Sequence, residues 1–449
     1  MKTDPQKVLV YGLGRSGMGV IRHLKKLGWT GAWFDAKPNP DGELEAVNHG
    51  FPRVLQLKPK NFDLVVAAPG VMVQNPDLES LRGAGLPVIG EVELAYLTTS
   101  TPTIGVTGTA GKGSTTALIA HLLRRQGIIA LEGGNFDPPL LEIVESCDVA
   151  VTELSSFQLE RIDTYRPSVA VITNLGVDHI TDHGSLERYH AAKWRIAQNL
   201  TPEDSLIFPA SIVLGRETRG HVVRVLESGD ILDLTGKTLL EISKLPVNIH
   251  PMNARLAVTA TLLYLEQLQQ TVDFEQLKSA LLEFKGVSGR FETIAVIDGT
   301  RFIEDSIATR TLAVQAALEN ARAPIAWILG GRDKLGLSEK ESELPKMLEL
   351  VKHKVTVILA FGESGMIYAE YFKETGVKIL NLSLEKDGEK ALEKAVNIGS
   401  DLAHGGSVLL APLGTSFDLF ANYKARGAAF KAAVLRLELR TPQQSRGAP

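Results

Sequence analysis

A short glycine-rich segment in the first third of the chain carries residue types suited to binding phosphate. It runs from Thr107 to Thr115 and reads TGTAGKGST, between a predicted strand over 103–106 and a predicted helix over 114–126. Glycines let backbone N–H groups turn toward one point, and the positive end of a helix adds to the attraction for an anion. Lys112 could neutralise phosphate charge, and the Ser114 hydroxyl could bind Mg²⁺. The predicted nucleotide-phosphate site comprises Gly108, Thr109, Ala110, Gly111, Lys112, Gly113 and Ser114.

This loop departs from the strict phosphate-loop pattern G-x-x-x-x-G-K-[ST]. Counted from Gly105, the spacing is one residue too long, and Gly113 separates Lys112 from the first hydroxyl. An ordinary glycine-rich turn between a strand and a helix is therefore the alternative. The concentration of Gly, Lys, Ser and Thr between a strand and a helix favours nucleotide binding.

Three further candidates follow in the next eighty residues. Glu153 comes just after the predicted strand over 149–152, where a carboxylate could hold Mg²⁺; a solvent-facing side chain is the alternative. His179 and His183 have the i,i+4 spacing that suits zinc on a helix, but the nearby Gly184 and a loop position argue against a helix. Lys193 has, by local pattern alone, the appearance of a solvated helix lysine.

The N-terminal glycine pattern supports a rival class of function. Gly12-x-Gly14-x-x-Gly17 follows a predicted strand over 7–11, and Asp35 ends the next strand. This arrangement is typical of dinucleotide binding, and hence of an NAD(P)-dependent oxidoreductase. The same turn could hold the diphosphate of a nucleotide sugar, and a phosphate loop over 107–115 has no task in a simple dehydrogenase. A non-catalytic ATP-binding module is the other alternative.

The elements that position these residues alternate between short apolar strands and helices along the chain. Such alternation predicts an α/β protein of three domains, each a mainly parallel sheet flanked by helices. The polar segment before Pro102 and the glycines at 286 and 289 indicate boundaries. We expect a Rossmann-like domain over 1–98, a phosphate-loop-type domain over 99–289 and a second Rossmann-like domain over 290–449.

Composition limits the partners. The 449 residues carry a net charge of −4 without a basic stripe, which argues against nucleic-acid binding. No apolar run approaches the roughly 20 residues that span a bilayer, and no signal sequence precedes the first strand. Cys147 is the single cysteine, as is typical of a reducing compartment. We expect a soluble, cytoplasmic monomer that acts on small molecules.

The motifs together resemble the Mur ligases, the amino-acid-adding enzymes of peptidoglycan synthesis. The central matches are TGTAGKGSTT, TELSSFQLE (152–160), TNLGVDH (173–179) and YHAAKWRI (189–196). The flanking matches are YGLGRSG, APGV (68–71), GEVEL (90–94), GRFE (289–292), EDSIAT (304–309), LGGRDK (329–334) and APLGTSFDLFANYKARG (411–427). Within the family, ELSSFQLE is most similar to the ligases that add D-glutamate to UDP-N-acetylmuramoyl-L-alanine. The resemblance implies ATP-dependent activation of a carboxylate as an acyl phosphate, followed by attack of an amine.

The resemblance also implies a set of site residues. Ser114 and Glu153 would bind one Mg²⁺, and His179 a second together with Lys193, which is carbamylated by CO₂ in the family. The catalytic set would be Lys112, His179, Lys193 and Arg290. Asn135, Asn253, Arg290 and Asp305 match positions that contact ATP or its metal, and Asn135 is also assigned to the substrate site. The UDP end would be lined by Arg15, Ser16, Asp35 and Lys37, and the amino acid by Thr309, Lys334 and Ser416 with Phe417 and Tyr423 as apolar walls.

The sequence departs from the family pattern in the loop and the C-terminal motifs. Ala110 stands where an asparagine is usual, Val177 replaces an acidic residue, and Ile307 replaces a lysine, for which Arg310 could substitute. The order GKGST is more similar to folylpolyglutamate synthase, a relative with the same ligase chemistry. Another Mur ligase or a folylpolyglutamate synthase-like ligase is therefore the alternative within the class.

Overall fold

The computed structural model describes residues 6–36, 40–246, 248–333, 340–341 and 343–440. The chain divides into two compact units. One comprises Met1–Leu245 with Pro251–Phe284, and the other Pro246–His250 with Lys285–Pro449. Two predicted site residues, Lys37 and Lys334, lie outside the described residues.

The first unit begins with a four-stranded parallel sheet of order β2-β1-β3-β4. Val10 of β1 pairs with Trp33 on one side and Val66 on the other, so this apolar strand is buried on both faces. Its strands are β1 (Lys7–Tyr11), β2 (Thr30–Phe34), β3 (Leu64–Ala67) and β4 (Val88–Ile89). Its helices are α1 (Arg15–Lys26), α2 (Pro40–Asn48), α3 (Pro76–Gly83) and α4 (Glu91–Thr98).

A six-stranded parallel sheet of order β10-β9-β8-β5-β7-β6 forms the rest of the first unit. Its strands are β5 (Thr103–Thr107), β6 (Ala130–Gly134), β7 (Val149–Glu153), β8 (Val169–Ile172), β9 (Ser205–Pro209) and β10 (His221–Val225). Its helices are α5 (Lys112–Arg125), α6 (Leu140–Ile143), α7 (Ser156–Leu159), α8 (Ile180–His183), α9 (Leu186–Trp194), α10 (Pro251–Gln267) and α11 (Phe274–Glu283). A small antiparallel hairpin adds β11 (Ile231–Leu232) and β12 (Thr238–Leu240). Because β5 lies between β7 and β8, the strand order changes direction there, which is where such sheets bind ligands.

Buried charged side chains hold these two sheets together. Glu93 of α4 accepts hydrogen bonds from the backbone N–H groups of Asp163, Thr164 and Tyr165 at 2.8–2.9 Å. Arg161, which follows α7, donates to carbonyl oxygens of the segment after β3. These are the oxygens of Ala68, at 2.9 Å, and of Val71. These hydrogen bonds fix α4 and the segment 68–71 against the residues that follow α7.

The second unit contains a mixed six-stranded sheet of order β13-β14-β18-β15-β16-β17. Its strands are β13 (Glu292–Ile297), β14 (Thr300–Glu304), β15 (Ile325–Gly330), β16 (Val355–Phe361), β17 (Lys378–Asn381) and β18 (Ser407–Leu413). Its helices are α12 (Thr311–Asn320), α13 (Leu348–Lys354), α14 (Gly365–Glu370), α15 (Gly388–Leu402) and α16 (Tyr423–Arg440). The β13–β14 pair is antiparallel and the other pairs are parallel.

The α/β prediction is confirmed: each of the three larger sheets is mainly parallel and flanked by helices. The predicted boundaries of the three domains remain a prediction. None of the described helices is both long enough and apolar enough to cross a membrane.

Candidate functional site

The glycine-rich segment predicted to bind phosphate connects β5 to α5. Gly108 and Gly111 adopt φ angles of +145° and +77°, which residues other than glycine rarely adopt. A Cβ atom at Gly108 would lie 2.0 Å from Oγ1 of Thr173, and one at Gly111 would lie 2.7 Å from Oδ1 of Asn253. The backbone conformation therefore requires glycine at both positions. Asn253, near the start of α10, lies against the loop.

Asn174 fastens this loop, and the sequence interpretation assigned it no role. Its Oδ1 accepts hydrogen bonds from the N–H groups of Thr109 and Ala110 at 3.1 and 2.9 Å, and its amide donates to the Ala110 carbonyl at 2.9 Å. Both N–H groups are thus bonded within the protein. The sequence signal that could have identified Asn174 was its position, because it lies just past the carboxyl end of β8, which pairs with β5.

Two lysines meet at the carbonyl oxygen of Gly108. Lys112, the first residue of α5, donates from Nζ to Gly108 at 3.0 Å and to Thr109 at 3.1 Å. Lys193 of α9 donates to the Gly108 oxygen at 2.7 Å, and its side chain is buried, with 1% exposure. Burial, and then the charge of Lys112, lower the pKa of Lys193 well below its usual value. The local pattern typical of a solvated lysine was therefore misleading.

Two buried carboxylates interact with the charge of Lys193. Glu153, the last residue of β7, is buried and accepts a hydrogen bond at 2.9 Å from Nδ2 of Asn135. Asp178 is buried too, and the charges of Asp178 and Glu153 both act to raise the pKa of Lys193, against the larger effect of burial. Lys193 and Asn253 thus lie against the loop, Glu153 and Asp178 act on the charge of Lys193, and Ser114 lies on the first turn of α5.

The two histidines considered as a zinc pair have different surroundings. His179 precedes α8 with φ of +50°, and its Nδ1 lies 2.8 Å from Asp182. His183 ends α8, with its Nε2 2.9 Å from Oγ of Ser156. Their ring nitrogens have different partners, Asp182 for His179 and Ser156 for His183. Within the described residues, no group of three or more His, Cys, Asp or Glu side chains could hold a metal ion.

Two cavities open on these residues within the first unit. One, of about 460 Å³, is lined by Lys112, Asn135, Asp178, His179 and Lys193 among others. The second, of about 640 Å³, is lined by the N-terminal glycine turn with Arg15, Ser16 and Asp35. The two share Asn135 and the segment 69–72 as walls. Together they connect the N-terminal turn to the phosphate loop.

Three carboxylates, those of Asp35, Asp137 and Glu91, hold the N-terminal turn. Asp35 accepts a hydrogen bond at 2.7 Å from the backbone N–H of Leu13, and Arg15 forms an ion pair with Asp137. The hydroxyl of Ser16 donates to Oε2 of Glu91 at 2.5 Å. Glu91 was not among the predicted site residues, although the GEVEL motif contains it. It is buried, it lines the larger cavity, and its Oε1 accepts a 3.2 Å hydrogen bond from Leu141.

We expect Glu91→Gln to alter how stability depends on pH. Burial raises the pKa of Glu91 from 4.5 to about 7, against the opposing hydrogen bond from Ser16. Between these two pH values the folded state holds the proton and the unfolded state releases it. The contribution of this group is therefore complete below about pH 4.5, and it is lost as pH rises through about 7, on the order of 3 kcal/mol in total.

Urea unfolding at about pH 5 and pH 8 measures this effect. The wild-type free energy of unfolding should fall relative to that of Glu91→Gln over this range. The exposed Glu275, changed to Gln, is the matched control and should follow the wild type. Parallel pH profiles for wild type and Glu91→Gln would refute the assignment.

The second unit places its predicted residues at the carboxyl ends of neighbouring strands. Asp305 follows β14 and is buried; burial, and then Glu304, raise its pKa to about 8, while Arg290 acts to lower it. Thr309 lies further along the same connection. Ser416 and Phe417 follow β18, the first buried and the second 61% exposed, and Tyr423 begins α16. Because β14 and β18 are parallel neighbours, these residues share one edge of the sheet.

Three family models match the chain in succession. They are the MurD-like N-terminal domain of Mur ligases over residues 6–90, the Mur ligase middle domain over 106–228, and the Mur ligase glutamate ligase domain over 289–414.

Curated relatives match nearly the whole chain. The UDP-N-acetylmuramoylalanine–D-glutamate ligase of Deinococcus radiodurans is 45% identical over 96% of this chain and 92% of its own. The ligase of the same name from Thermus thermophilus is 44% identical over 97% and 100%. That of Pelotomaculum thermopropionicum is 35% identical over 96% and 98%.

Solved structures share the fold at lower identity. The UDP-N-acetylmuramate-alanine ligase of Thermotoga maritima superimposes with a TM-score of 0.56 at 22% identity, covering 97% of this chain and 100% of that one. The MurF ligase of Thermotoga maritima, solved in complex with ADP, gives 0.56 at 17% identity, covering 88% and 92%.

Proposed function

The chain belongs to the Mur ligase family, and on that basis we propose that it joins D-glutamate to the carboxylate of UDP-N-acetylmuramoyl-L-alanine with ATP as the energy source. Full-length similarity to ligases of this specificity supports the substrate pair. The observation that carries the proposed chemistry is that Lys112 and Lys193 both bond the Gly108 carbonyl oxygen of the phosphate loop, with Glu153 and Asp178 close enough to act on the charge of Lys193. Membership of a ligase family excludes the oxidoreductase and the non-catalytic ATP-binding module.

Amide formation requires activation because a carboxylate is a poor electrophile. Transfer of the γ-phosphoryl group of ATP to the L-alanyl carboxylate gives an acyl phosphate and ADP. The amino group of D-glutamate then attacks the acyl carbon, loses a proton and expels phosphate. Lys112 stabilises charge on the transferring phosphoryl group from the start of α5, where the helix dipole adds to its effect. The family resemblance assigns the same task to Arg290.

The donor set around the loop fits Mg²⁺. This ion prefers oxygen ligands and usually needs only one or two protein carboxylates beside phosphate oxygens and water. Ser114 and Glu153 would hold one ion, and His179 with a carbamylated Lys193 a second. Bound there, Mg²⁺ would offset negative charge on the phosphates.

The burial of Lys193 supports its proposed carbamylation. Burial lowers the pKa of Lys193 and so favours the neutral amine, which is the form that reacts with CO₂. The nitrogen bonds to the carbon of CO₂ and loses a proton, which gives a carbamate anion. An ammonium would repel Mg²⁺ and Lys112, whereas the carbamate attracts both.

The cavities of the first unit suit an elongated acceptor. The uridine diphosphate would lie against Arg15, Ser16 and Asp35, with Lys37 assigned to the same end from the sequence. Asn135 lines both cavities and would face the muramoyl portion near the phosphate loop. The L-alanyl carboxylate would then lie close to Lys112.

The second unit would bind D-glutamate. A dicarboxylate needs cationic or hydroxyl donors at both ends, since a buried unpaired carboxylate is costly. Thr309 and Ser416 supply hydroxyls, Lys334 is assigned the cation, and Phe417 and Tyr423 provide apolar walls. We also propose that the enzyme is a cytoplasmic monomer.

The direct test is phosphate release from ATP with UDP-muramyl acceptors crossed against D- and L-amino acids. We expect turnover with UDP-N-acetylmuramoyl-L-alanine and D-glutamate, and at least about a hundredfold lower kcat/KM with L-glutamate, because its carboxylates cannot meet the same donors. Omission of the acceptor is the control. Equal turnover with L-glutamate or a neutral amino acid would reject the proposed specificity, and turnover of a folate substrate would favour the folylpolyglutamate synthase alternative.

A further inference from the structure

A buried arginine on the last helix reaches the ligand edge of the second unit's sheet. Arg426 lies in the first turns of α16 with no exposed surface. Its Nη1 donates to the carbonyl oxygen of Gly414 at 3.1 Å, and its Nη2 donates to that of Ser306 at 2.7 Å. Gly414 follows β18 and Ser306 follows β14. One planar group therefore connects two loops that are distant in sequence.

The guanidinium also contacts the end of a third strand. A Cβ atom placed at Gly331, just after β15, would lie 3.0 Å from Nη1 of Arg426. Because β14, β18 and β15 are consecutive in the sheet, their carboxyl ends form one continuous edge. Arg426 lies beneath that edge, where the loops bearing Asp305 and Ser416 begin.

The peptide groups of Ser306 are fixed from both sides. Oε1 of Glu304 accepts a hydrogen bond from the Ser306 N–H at 2.7 Å, while Arg426 holds the Ser306 carbonyl. A Cβ at Gly427 would lie 2.9 Å from the same Glu304 oxygen, so glycine there lets the carboxylate approach α16. The two buried charges thus hold this short segment between them.

A buried cation is costly unless it is well paired, so the burial of the Arg426 guanidinium depends on its polar partners. Burial lowers the pKa of Arg426 to about 10, against the opposing charges of Asp418 and Glu304. The group therefore stays cationic at neutral pH. Its planar fork suits two carbonyl acceptors at once, which a lysine ammonium on a flexible stem does not.

We infer that Arg426 is a positioning residue for the amino-acid substrate, because it holds the loops after β14 and β18 in register so that Thr309 and Ser416 face the substrate together. This inference rests on the proposed function. Arg426 is fully buried, so it acts through the two loops and does not touch the substrate. Its positive charge also favours a nearby dicarboxylate.

The test compares Arg426→Lys and Arg426→Gln with the wild type. Arg440, 64% exposed on the same helix and changed to the same residues, is the matched control. We expect a rise of at least about tenfold in the KM for D-glutamate for both Arg426 variants, with the KM for ATP and for the UDP-muramyl acceptor within about threefold. The Arg440 variants should match the wild type. All assays are run well below each variant's measured Tm.

A purely structural role gives a different pattern. Partial unfolding lowers the amount of active enzyme, and hence apparent kcat, while the molecules that remain folded keep the wild-type KM. An unchanged KM for D-glutamate in Arg426→Lys would therefore overturn the inference. A wild type without D-glutamate activity would reject the proposed function instead. If both Arg426 variants fail to fold, Glu304→Asp, which releases Ser306 from the other side, must give the selective rise in KM.

Discussion

Replacing Lys112 by alanine is expected to lower kcat at least about a hundredfold while the protein stays folded. Charge-assisted hydrogen bonds contribute roughly 1.5–3 kcal/mol each, and each 1.36 kcal/mol of transition-state stabilisation is tenfold in rate. In the structure Lys112 donates hydrogen bonds to backbone oxygens of its own loop, those of Gly108 and Thr109. Phosphate release under saturating substrates measures the effect, with circular dichroism and Tm reporting the fold.

A control variant separates loss of the loop cation from a general effect on α5. Arg125 ends the same helix and pairs with Glu283 at 3.1 Å. Arg125→Ala should retain near-wild-type kcat. If Lys112→Ala also turned over at a near-normal rate, the nucleotide site would have to be placed elsewhere.

Lys193→Ala should be almost inactive, and a small carboxylate such as acetate should restore part of the activity. The variant removes the proposed carbamate from a buried position 2.7 Å from Gly108, and leaves space that an anion can enter. The measurement is kcat against acetate concentration, with chloride at equal ionic strength as the control. Lys112→Ala should show no such rescue, because it lacks a cation and not an anion.

The modification itself is also measurable. Crystallographic density or mass under bicarbonate should show CO₂ added at Lys193, and Lys193→Arg should not be modified. A plain ammonium at this position together with an active alanine variant would remove carbamylation from the mechanism.

Local order in the sequence determined the class of fold and the position of the phosphate loop. Strand Lys7–Tyr11 matches its prediction because an apolar β-branched run between polar segments has few other stable conformations. The loop after β5 was recognisable because glycine, lysine and hydroxyl residues are consecutive there. The predicted end of the loop was wrong. Helix α5 begins at Lys112, two residues before the predicted start, because Gly111 adopts the left-handed conformation and serves as the N-cap of the helix.

The partners of these residues were decided by tertiary structure. Lys193 has the pattern of a solvated helix lysine, yet it is buried against Gly108, 85 positions away in sequence. Ser16 and Glu91 are 75 positions apart, and Arg426 and Ser306 are 120 apart. No local periodicity encodes such contacts, because they depend on strand order: β5 lies between β7 and β8, and β18 lies between β14 and β15. A buried charge is stable only where that order supplies its partners, so the sequence could name the charged residues but not which of them would be buried.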